Sequence, residues 1–225
     1  MLPDLHGFGP QLLFGAAMTV GVAAASVVLG SLIGLAVAVA KLAKMSLLQA
    51  AAGAYTTVIR GVPDLLVIFV IYYGGTVTLS SLIGRHVEVD PFSAGVVALS
   101  VVFGAYAAEI FRGGILGVPR GQSDAARALG LSPRAAFVSV ILPQAWRLAL
   151  PAFGSQTLIL VKQTSLVSIV GLEELMRKAA IAVGATHEPF TFYVAAGALY
   201  LVLTGMITLG LRGLELRAAR GYGHA

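Results

Sequence analysis

The chain has 225 residues, of which 58% are hydrophobic and only 11% are charged. Soluble domains carry about 25% charged residues, so a fold of this composition could not keep its surface hydrated in water. The formal net charge of +5 would also suit a nucleic-acid-binding protein, but most basic residues fall on one side of the membrane in the topology below, and we assign no nucleic-acid partner. The chain has no cysteine, which excludes disulfides and cysteine metal sites.

Charge is absent from four long blocks, residues 5–40, 65–84, 91–108 and 189–211. A helix needs ~20 residues to cross the ~30 Å hydrocarbon core; three blocks reach that length and residues 91–108 fall just short. A fifth block, residues 146–170, is interrupted by Lys162. Strands of a membrane barrel would alternate in polarity, whereas residues 20–39 are apolar or small on every face. The pattern predicts an all-α membrane protein of about five transmembrane helices, with residues 1–225 as one domain.

The sequence predicts five spans and one short external helix. The first helix covers residues 11–40; it is too long for a signal-peptide core, so we expect it to be retained, and its Gly30 and Gly34 would allow close helix packing. The second covers residues 55–82 and contains Pro63, and residues 80–91 form an external loop. The third covers residues 92–112 and the fourth starts near Trp146. A short external helix at residues 171–183 presents an apolar face, and Pro189 opens the fifth span. That face comprises Leu172, Leu175, Met176 and Ala179.

The distribution of Lys and Arg predicts the orientation, because cytoplasmic segments retain these residues. With the N-terminus outside, the internal segments hold ten basic residues, and Arg60 lies at the inner start of the second span. The external segments then hold Arg85, Arg177 and Lys178 together with six acidic residues. We therefore expect a periplasmic N-terminus and a cytoplasmic C-terminus in an inner membrane. The ten internal basic residues are Lys41, Lys44, Arg112, Arg120, Arg127, Arg134, Arg147, Arg212, Arg217 and Arg220.

The longest non-spanning segment, residues 113–145, far exceeds the ~2–8 residues that a connection between helices needs. Residues 121–129 form a predicted short helix with Asp124 near its N-terminus, where a carboxylate suits the helix dipole. Gly130 ends this helix. Ser132 and Pro133 then open a second helix that reaches Leu142 and stops at Pro143. The sequence predicts an elbow of two short helices beneath the membrane; a helix pair that merely lies on lipid is the alternative.

This elbow resembles the EAA motif of the membrane subunits of ABC importers, which reads Glu-Ala-Ala, a glycine, and then a stretch ending in Leu-Pro. Here Asp124, Ala125 and Ala126 precede Gly130, and Leu142 and Pro143 close the motif, within a loop of about residues 116–145. Aspartate replaces the usual glutamate and keeps its charge. The resemblance implies that these six residues contact a cytoplasmic ATPase dimer, which binds ATP and magnesium. The chain itself has no Gly-x-x-x-x-Gly-Lys-Ser/Thr loop and needs no cofactor of its own.

Three further segments resemble signatures of the polar amino-acid subfamily. They are Ile-Arg-Gly-Val-Pro at residues 59–63, the stretch from Gly104 to Ile115, and Lys-Gln-Thr-Ser-Leu-Val-Ser at residues 162–168 with Gly-Leu-Glu-Glu-Leu at 171–175. In order and spacing, the chain resembles Q-type permease subunits for histidine, lysine, arginine, ornithine or opines. This implies a permease, not an enzyme, with a periplasmic amino-acid-binding protein and a second permease, either an M-type homologue or an identical copy.

Charged residues within spans are costly and usually paired or functional. Arg60 and Asp64, four residues apart, and Glu109 and Arg112, three apart, could form ion pairs; we favour pairing over direct contact with substrate. Lys162 lies 15 residues after Arg147, ~22 Å farther along a helix, so we expect it to face protein or a cavity. The candidate translocation path, with helix–helix hydrogen bonding as the alternative, comprises Ser155, Gln156, Lys162, Gln163, Thr164 and Ser165.

Other functions and the substrate stay open at this point. The four histidines lie near termini or in loops without ligand spacing, and we predict no metal site. A channel or secondary transporter would explain the spans but not the elbow. A membrane enzyme is disfavoured because the spans contain no recognisable catalytic set of residues. Relatives that carry cations should have a carboxylate near the position of Gln156. Either the substrate is not cationic, or a partner half supplies the carboxylate; we favour the second.

Overall fold

The computed structural model describes residues 5–219, and every regular element in this range is helical. A π-helical turn, Phe137–Ile141, leads into the helix that starts at Leu142, and a 3₁₀ helix, Thr164–Val170, continues that helix. Five segments are long and apolar enough to cross a membrane, as predicted: Gly9–Leu42, Asp64–Ile83, Pro91–Leu116, Pro133–Val170 and Pro189–Ala218. The helices are α1 (Gly9–Leu42), α2 (Ser46–Gly61), α3 (Asp64–Ile83), α4 (Pro91–Leu116), α5 (Arg120–Ala128), α6 (Pro133–Ala136), α7 (Leu142–Gln163), α8 (Leu175–Thr186) and α9 (Pro189–Ala219).

Helix α4 is central and packs most extensively against α1. In its most apolar stretch 67% of the residues are buried within the chain, against 6% for α9, which lies at the periphery. The two glycines of the predicted packing motif lie in this interface. A Cβ atom on Gly34 would come within 2.6 Å of Ala107 Cβ, and one on Gly30 within 2.9 Å of Phe103. The lack of side chains at both positions is therefore what brings α1 and α4 so close.

Local chemistry explains several helix ends. Asp90 caps α4: its carboxylate accepts hydrogen bonds from the Ser93 N–H (2.9 Å) and hydroxyl (2.8 Å), and these bonds hold its pKa below the usual value. Pro91 follows in the first turn, where its missing N–H costs nothing. Gly84 ends α3 with a φ of 74°, a conformation that glycine adopts readily.

The second span differs from the prediction of one helix over residues 55–82. The helix breaks before Pro63, because Val62 (φ −99°, ψ 139°) and Pro63 (φ −55°, ψ 132°) are both extended. A proline lacks the N–H that would continue a helix, and it disfavours helical geometry in the residue before it. Arg60 therefore lies in the last turn of α2, while Asp64 begins α3. The predicted ion pair between them does not form, since its four-residue spacing assumed an unbroken helix.

The fourth span differs in the opposite sense. We predicted that Pro143 would stop one helix and that another would start near Trp146, but helical structure is continuous from Pro133 to Val170. The π-helical turn absorbs the irregularity, with the Leu142 N–H donating to the Phe137 carbonyl five residues earlier. Pro143 then lies in the first turn of α7, where the absence of its N–H is tolerated. The second arm of the elbow is thus continuous with the membrane span.

The short helix after this span starts later than residue 171. Gly171, at φ 98°, ends the 3₁₀ helix, and the Glu174 carboxylate caps α8 by accepting the Arg177 N–H at 2.9 Å. Of the predicted apolar face, Leu172, Leu175 and Ala179 are buried and Met176 is partly exposed. Leu175 and Ala179 pack with Leu12, Phe192 and their neighbours on α1 and α9, whereas Leu172 belongs to the core around α4.

Candidate functional site

The elbow is held by two local hydrogen-bonding motifs. At its corner, the Leu131 N–H donates to the Ala126 carbonyl (3.1 Å) and the Gly130 N–H donates to the Arg127 carbonyl (2.9 Å). This is a Schellman motif, which requires a left-handed residue at the corner, and Gly130 has a φ of 79°. Ser132 caps the next helix by accepting the Ala135 N–H at 3.3 Å. The predicted break and cap are thus both present.

The predicted contact residues of the elbow are not all on its surface. Asp124 is exposed and forms an ion pair with Arg127 at 2.5 Å, and Ala125 is also exposed. Ala126 is only 3% exposed, so its small side chain packs inside the elbow. Leu129, which the sequence analysis did not select, is 81% exposed next to the corner. The elbow therefore presents an apolar tip flanked by charges.

Leu142 and Pro143 lie at the start of α7, away from this tip. Leu142 lines an apolar groove of about 280 Å³ together with Leu32, Leu35 and Phe111 from α1 and α4. Pro143 is exposed. Both residues thus belong to the junction between the elbow and the membrane spans.

A polar contact joins the start of α3 to the end of α7. The Gln163 Nε2 atom donates to Asp64 Oδ2 at 2.5 Å, and Gln163 Oε1 is buried without a hydrogen-bond partner in the described part of the chain. Gln163 is 21 residues beyond Leu142, ~32 Å along a helix. Asp64 and Gln163 are 99 residues apart in sequence, and no spacing pattern could have paired them. The predicted path residue Gln163 thus gains a carboxylate partner from the same chain.

The remaining predicted path residues divide into two groups. Lys162 and Ser155 are exposed and Ser165 is partly so; the two serine hydroxyls donate to carbonyls of their own helix, of Pro151 and Lys162. Gln156 is 7% exposed and Thr164 fully buried. Only the first group lies on a surface of this chain that a passing solute could reach.

Thr164 lies in a buried polar cluster that the sequence analysis missed. Its centre is Glu174, which is fully buried and accepts hydrogen bonds from the hydroxyls of Tyr200 (2.9 Å) and Thr19 (3.3 Å). The Thr164 hydroxyl lies beside that of Tyr200. The Thr164 hydroxyl donates to the Val161 carbonyl at 2.8 Å, and the cluster connects α1, α8, α9 and the 3₁₀ helix. Glu174 follows another glutamate in the sequence, which made it look like an external charge.

The charges near the elbow end of the bundle form a second cluster. Glu109 accepts from Arg112 Nε at 3.1 Å, the pair predicted from their spacing, and also pairs with Lys41 of α1. Lys41 Nζ in turn donates to Thr56 Oγ1 of α2 at 2.7 Å. This cluster joins α1, α2 and α4. Arg60 instead stacks over the ring of Tyr106, 5.1 Å from its centroid, a favourable contact for a guanidinium.

Comparison with known proteins places these features in a family. Residues 11–218 match the family described as binding-protein-dependent transport system inner membrane component. The chain is 42% identical to the nopaline transport system permease protein NocQ of Agrobacterium fabrum, over 96% of this chain and 94% of that protein. It is 39% identical to the arginine ABC transporter permease protein ArtQ of Haemophilus influenzae, with 93% and 95% covered.

Solved structures agree with the fold. The described helices superpose on those of an amino acid ABC transporter crystallised with histidines, with a TM-score of 0.85, 34% identity, and 96% of this chain and 98% of the other covered. An inward-facing structure of the MetNI methionine transporter gives a TM-score of 0.73 at 21% identity, with 93% of this chain and 97% of the other covered. This match supports the fold alone.

Proposed function

The chain belongs to the family of inner membrane components of binding-protein-dependent transport systems, and from this premise we propose that its substrate is a polar, basic amino acid or an opine. It is a multi-pass permease subunit of an ABC importer and not an enzyme, because ATP is hydrolysed by a separate subunit. The whole-length similarity to permeases named for nopaline and arginine supports this substrate class. We treat residues 1–225 as one permease domain.

The observation that carries the proposal is the contact between Asp64 and Gln163. A cationic side chain crossing a low-dielectric path needs a carboxylate, since an unpaired charge there is expensive. Asp64 supplies that carboxylate, and Gln163 Oε1, which has no hydrogen-bond partner among residues 5–219, supplies an acceptor beside it. Exposed Ser155 and Lys162 lie on α7, and partly exposed Ser165 lies in the 3₁₀ helix that continues it. Substrate replaces the Gln163 amide as the partner of Asp64 during passage.

The elbow transmits motion from the ATPase. Leu129 inserts its exposed side chain into a groove of the ATPase, with Asp124 and Arg127 at the rim, and closure of the ATPase dimer moves both elbows. The second arm is continuous with the span that carries Gln163. A movement of the elbow therefore shifts the path residues directly. The N-terminus is periplasmic and the elbow cytoplasmic in this scheme.

The importer contains a second permease, which we propose to be a homologous M-type subunit. At the Asp64–Gln163 contact this chain provides the carboxylate of Asp64. At position 156, where we expect a carboxylate in relatives that carry cations, it has glutamine, so a homologous partner would supply that carboxylate. Expression with the ATPase and binding protein, with and without the second permease gene, tests this assignment. Robust import of a basic amino acid without that gene would show that two identical copies suffice.

The substrate class is tested by ATP-driven uptake into proteoliposomes that contain the complete complex and its binding protein. L-arginine and L-citrulline have nearly the same shape but differ in side-chain charge. We expect uptake of arginine over citrulline, and a loss of about tenfold or more in arginine uptake for Asp64→Asn, as expected for a charge-assisted contact. Glu173→Gln, at an exposed carboxylate, is the matched control. Absence of uptake of arginine, histidine, octopine and glutamine alike would refute the proposed function.

A further inference from the structure

A cavity of about 480 Å³ lies at the end of the bundle opposite the elbow, within the size range of small-molecule sites. It is formed between α3, the loop from α3 to α4 and the end of the 3₁₀ helix. We call it the far-end cavity. Its lining includes Tyr72, Tyr73, Thr76, His86, Glu88 and Ile169.

The loop that forms one wall is held in place by side chains of α3. Ser80 Oγ accepts the Val87 N–H at 2.9 Å and donates to the Val87 carbonyl at 3.2 Å. Thr76 Oγ1 accepts the Val89 N–H at 3.3 Å. The loop therefore runs back along α3, and Glu88, between these anchors, has a defined position over the cavity.

The chemistry of the lining suits a cation. Glu88 Oε1 accepts a hydrogen bond from the Tyr72 hydroxyl at 2.8 Å, while within residues 5–219 no side chain or backbone group donates to its second oxygen. Tyr72 is packed edge-on to Tyr73, with ring centroids 5.0 Å apart, and Tyr73 is 55% exposed. A carboxylate oxygen beside an open aromatic ring binds guanidinium and ammonium groups.

The cavity lies on the same seam as the Asp64–Gln163 contact. Tyr72 is eight residues after Asp64 on α3, ~12 Å along the helix. Val170, which also lines the cavity, is seven residues after Gln163, ~14 Å along a 3₁₀ helix. The two distances agree, so the cavity lies ~12–14 Å farther from the elbow than the Asp64–Gln163 contact, between α3 and the 3₁₀ helix that continues α7.

We propose that the far-end cavity is a docking site for the cationic side chain of an amino acid, which occupies it before moving to Asp64. Glu88 holds the guanidinium or ammonium group through its second oxygen, and Tyr73 covers one face of that group. This inference rests on the proposed import of basic amino acids. It adds a second carboxylate station to the path, separate from Asp64.

The absence of native cysteine allows a direct test of occupancy. Ile169 lines the cavity and is 55% exposed, so Ile169→Cys introduces the one thiol of this chain, and its labelling is read on this subunit after the subunits are separated. The rate of its reaction with a thiol reagent is measured on the purified complex in nanodiscs, where both sides are accessible. L-arginine should slow the reaction and L-citrulline should not. In the Glu88→Gln background, the arginine concentration that gives half-protection should rise about tenfold.

Two controls make the result specific. Glu173→Gln removes an exposed carboxylate outside the cavity and should leave protection by L-arginine unchanged. L-arginine should protect position 169 better in Tyr73→Phe than in Tyr73→Leu, because phenylalanine retains the aromatic ring. Equal protection by citrulline, or undiminished protection in Glu88→Gln, would overturn the inference. A complex that imports arginine but shows no protection at position 169 would also overturn it and leave the proposed function intact. A complex that imports no amino acid at all would refute the proposed function itself.

Discussion

Glu174 is a buried carboxylate held by neutral donors from three helices. The hydroxyls of Tyr200 and Thr19 and the Arg177 N–H surround it. Thr19 also accepts the Leu175 N–H at 3.3 Å, so the first turn of α8 is fixed to α1. Buried polar groups lose their hydration on folding and depend on such partners. Glu174 therefore positions α8 between α1 and α9.

Removing this carboxylate should destabilise the subunit more than removing one of its donors. Glu174→Ala leaves several buried donors unpaired and should lower the free energy of unfolding by about 2–4 kcal/mol, against about 1 kcal/mol for Tyr200→Phe. Thermal unfolding of the purified complex shows which of the two variants has the lower melting temperature. A Tyr200→Phe variant that melts at or below the temperature of Glu174→Ala would contradict the central role of Glu174.

At the scale of elements, the pairing of α1 with α4 depends on residues without side chains. A Cβ atom on Gly34 would lie 3.0 Å from the Ala108 backbone nitrogen as well as 2.6 Å from Ala107 Cβ. Backbone atoms cannot rotate away as a flexible side chain can. The contact therefore cannot be relieved without separating the two helices.

Gly34→Ala should destabilise the complex by about 1–3 kcal/mol through overpacking. Gly21→Ala is the matched control, since Gly21 lies on the same helix and a Cβ there meets no atom within 4 Å. This control should be neutral or slightly stabilising, because alanine favours helix over glycine. Thermal unfolding in detergent compares the pair, and equal melting temperatures would show that α1 and α4 tolerate a wider spacing.

The elbow gives a second prediction at this scale. Leu129→Glu places a charge at the apolar tip and should reduce both co-purification with the ATPase and substrate-stimulated ATP hydrolysis by about tenfold or more, since a buried unpaired charge is costly. Gly130 is a poor choice for this test, because its φ of 79° makes any side chain there strained. Leu47→Glu, at an 80% exposed leucine outside the elbow, is the control. If Leu129→Glu keeps wild-type co-purification and ATP hydrolysis, the ATPase contact lies elsewhere on the chain.

At the scale of the whole molecule, the charges are distributed unevenly between the two ends of the bundle. The elbow and the cluster around Glu109 bring Lys41, Arg112 and Arg127 to one end, whereas Glu88, Asp90 and Glu173 lie at or near the other. Basic residues are retained in the cytoplasm. The distribution therefore favours a cytoplasmic elbow and a periplasmic far-end cavity.

Single cysteines can test this orientation, because the chain has none of its own. Exposed positions Ser46, Ser81, Ala128 and Ala185 are each replaced by cysteine. A membrane-impermeant thiol reagent applied to intact spheroplasts should label positions 81 and 185 only. Labelling at 46 and 128 instead would reverse the topology, and lysed spheroplasts, in which all four positions should react, provide the control.

Features that depend on local chemistry were predictable from the amino-acid sequence. Apolar segments long enough to span a bilayer predicted the five crossings, since segment length and polarity decide insertion. The corner at Gly130 and the cap at Ser132 were predictable for the same reason, because each involves residues within one turn of the chain. The pairing of Glu109 with Arg112 also follows from helical spacing alone.

Which faces of the helices meet depends on long-range packing, and this became apparent only in the folded chain. Ala126 and Thr164 belong to motifs visible in the sequence, yet both face inward, and Asp64 meets Gln163 across 99 residues. Two prolines likewise behave differently from the sequence prediction. Pro63 breaks a helix that we predicted to be continuous, and Pro143 lies within a helix that we predicted to stop. A proline removes one hydrogen bond wherever it occurs, but whether the helix continues depends on how the neighbouring turns and packed helices compensate, which no local pattern specifies.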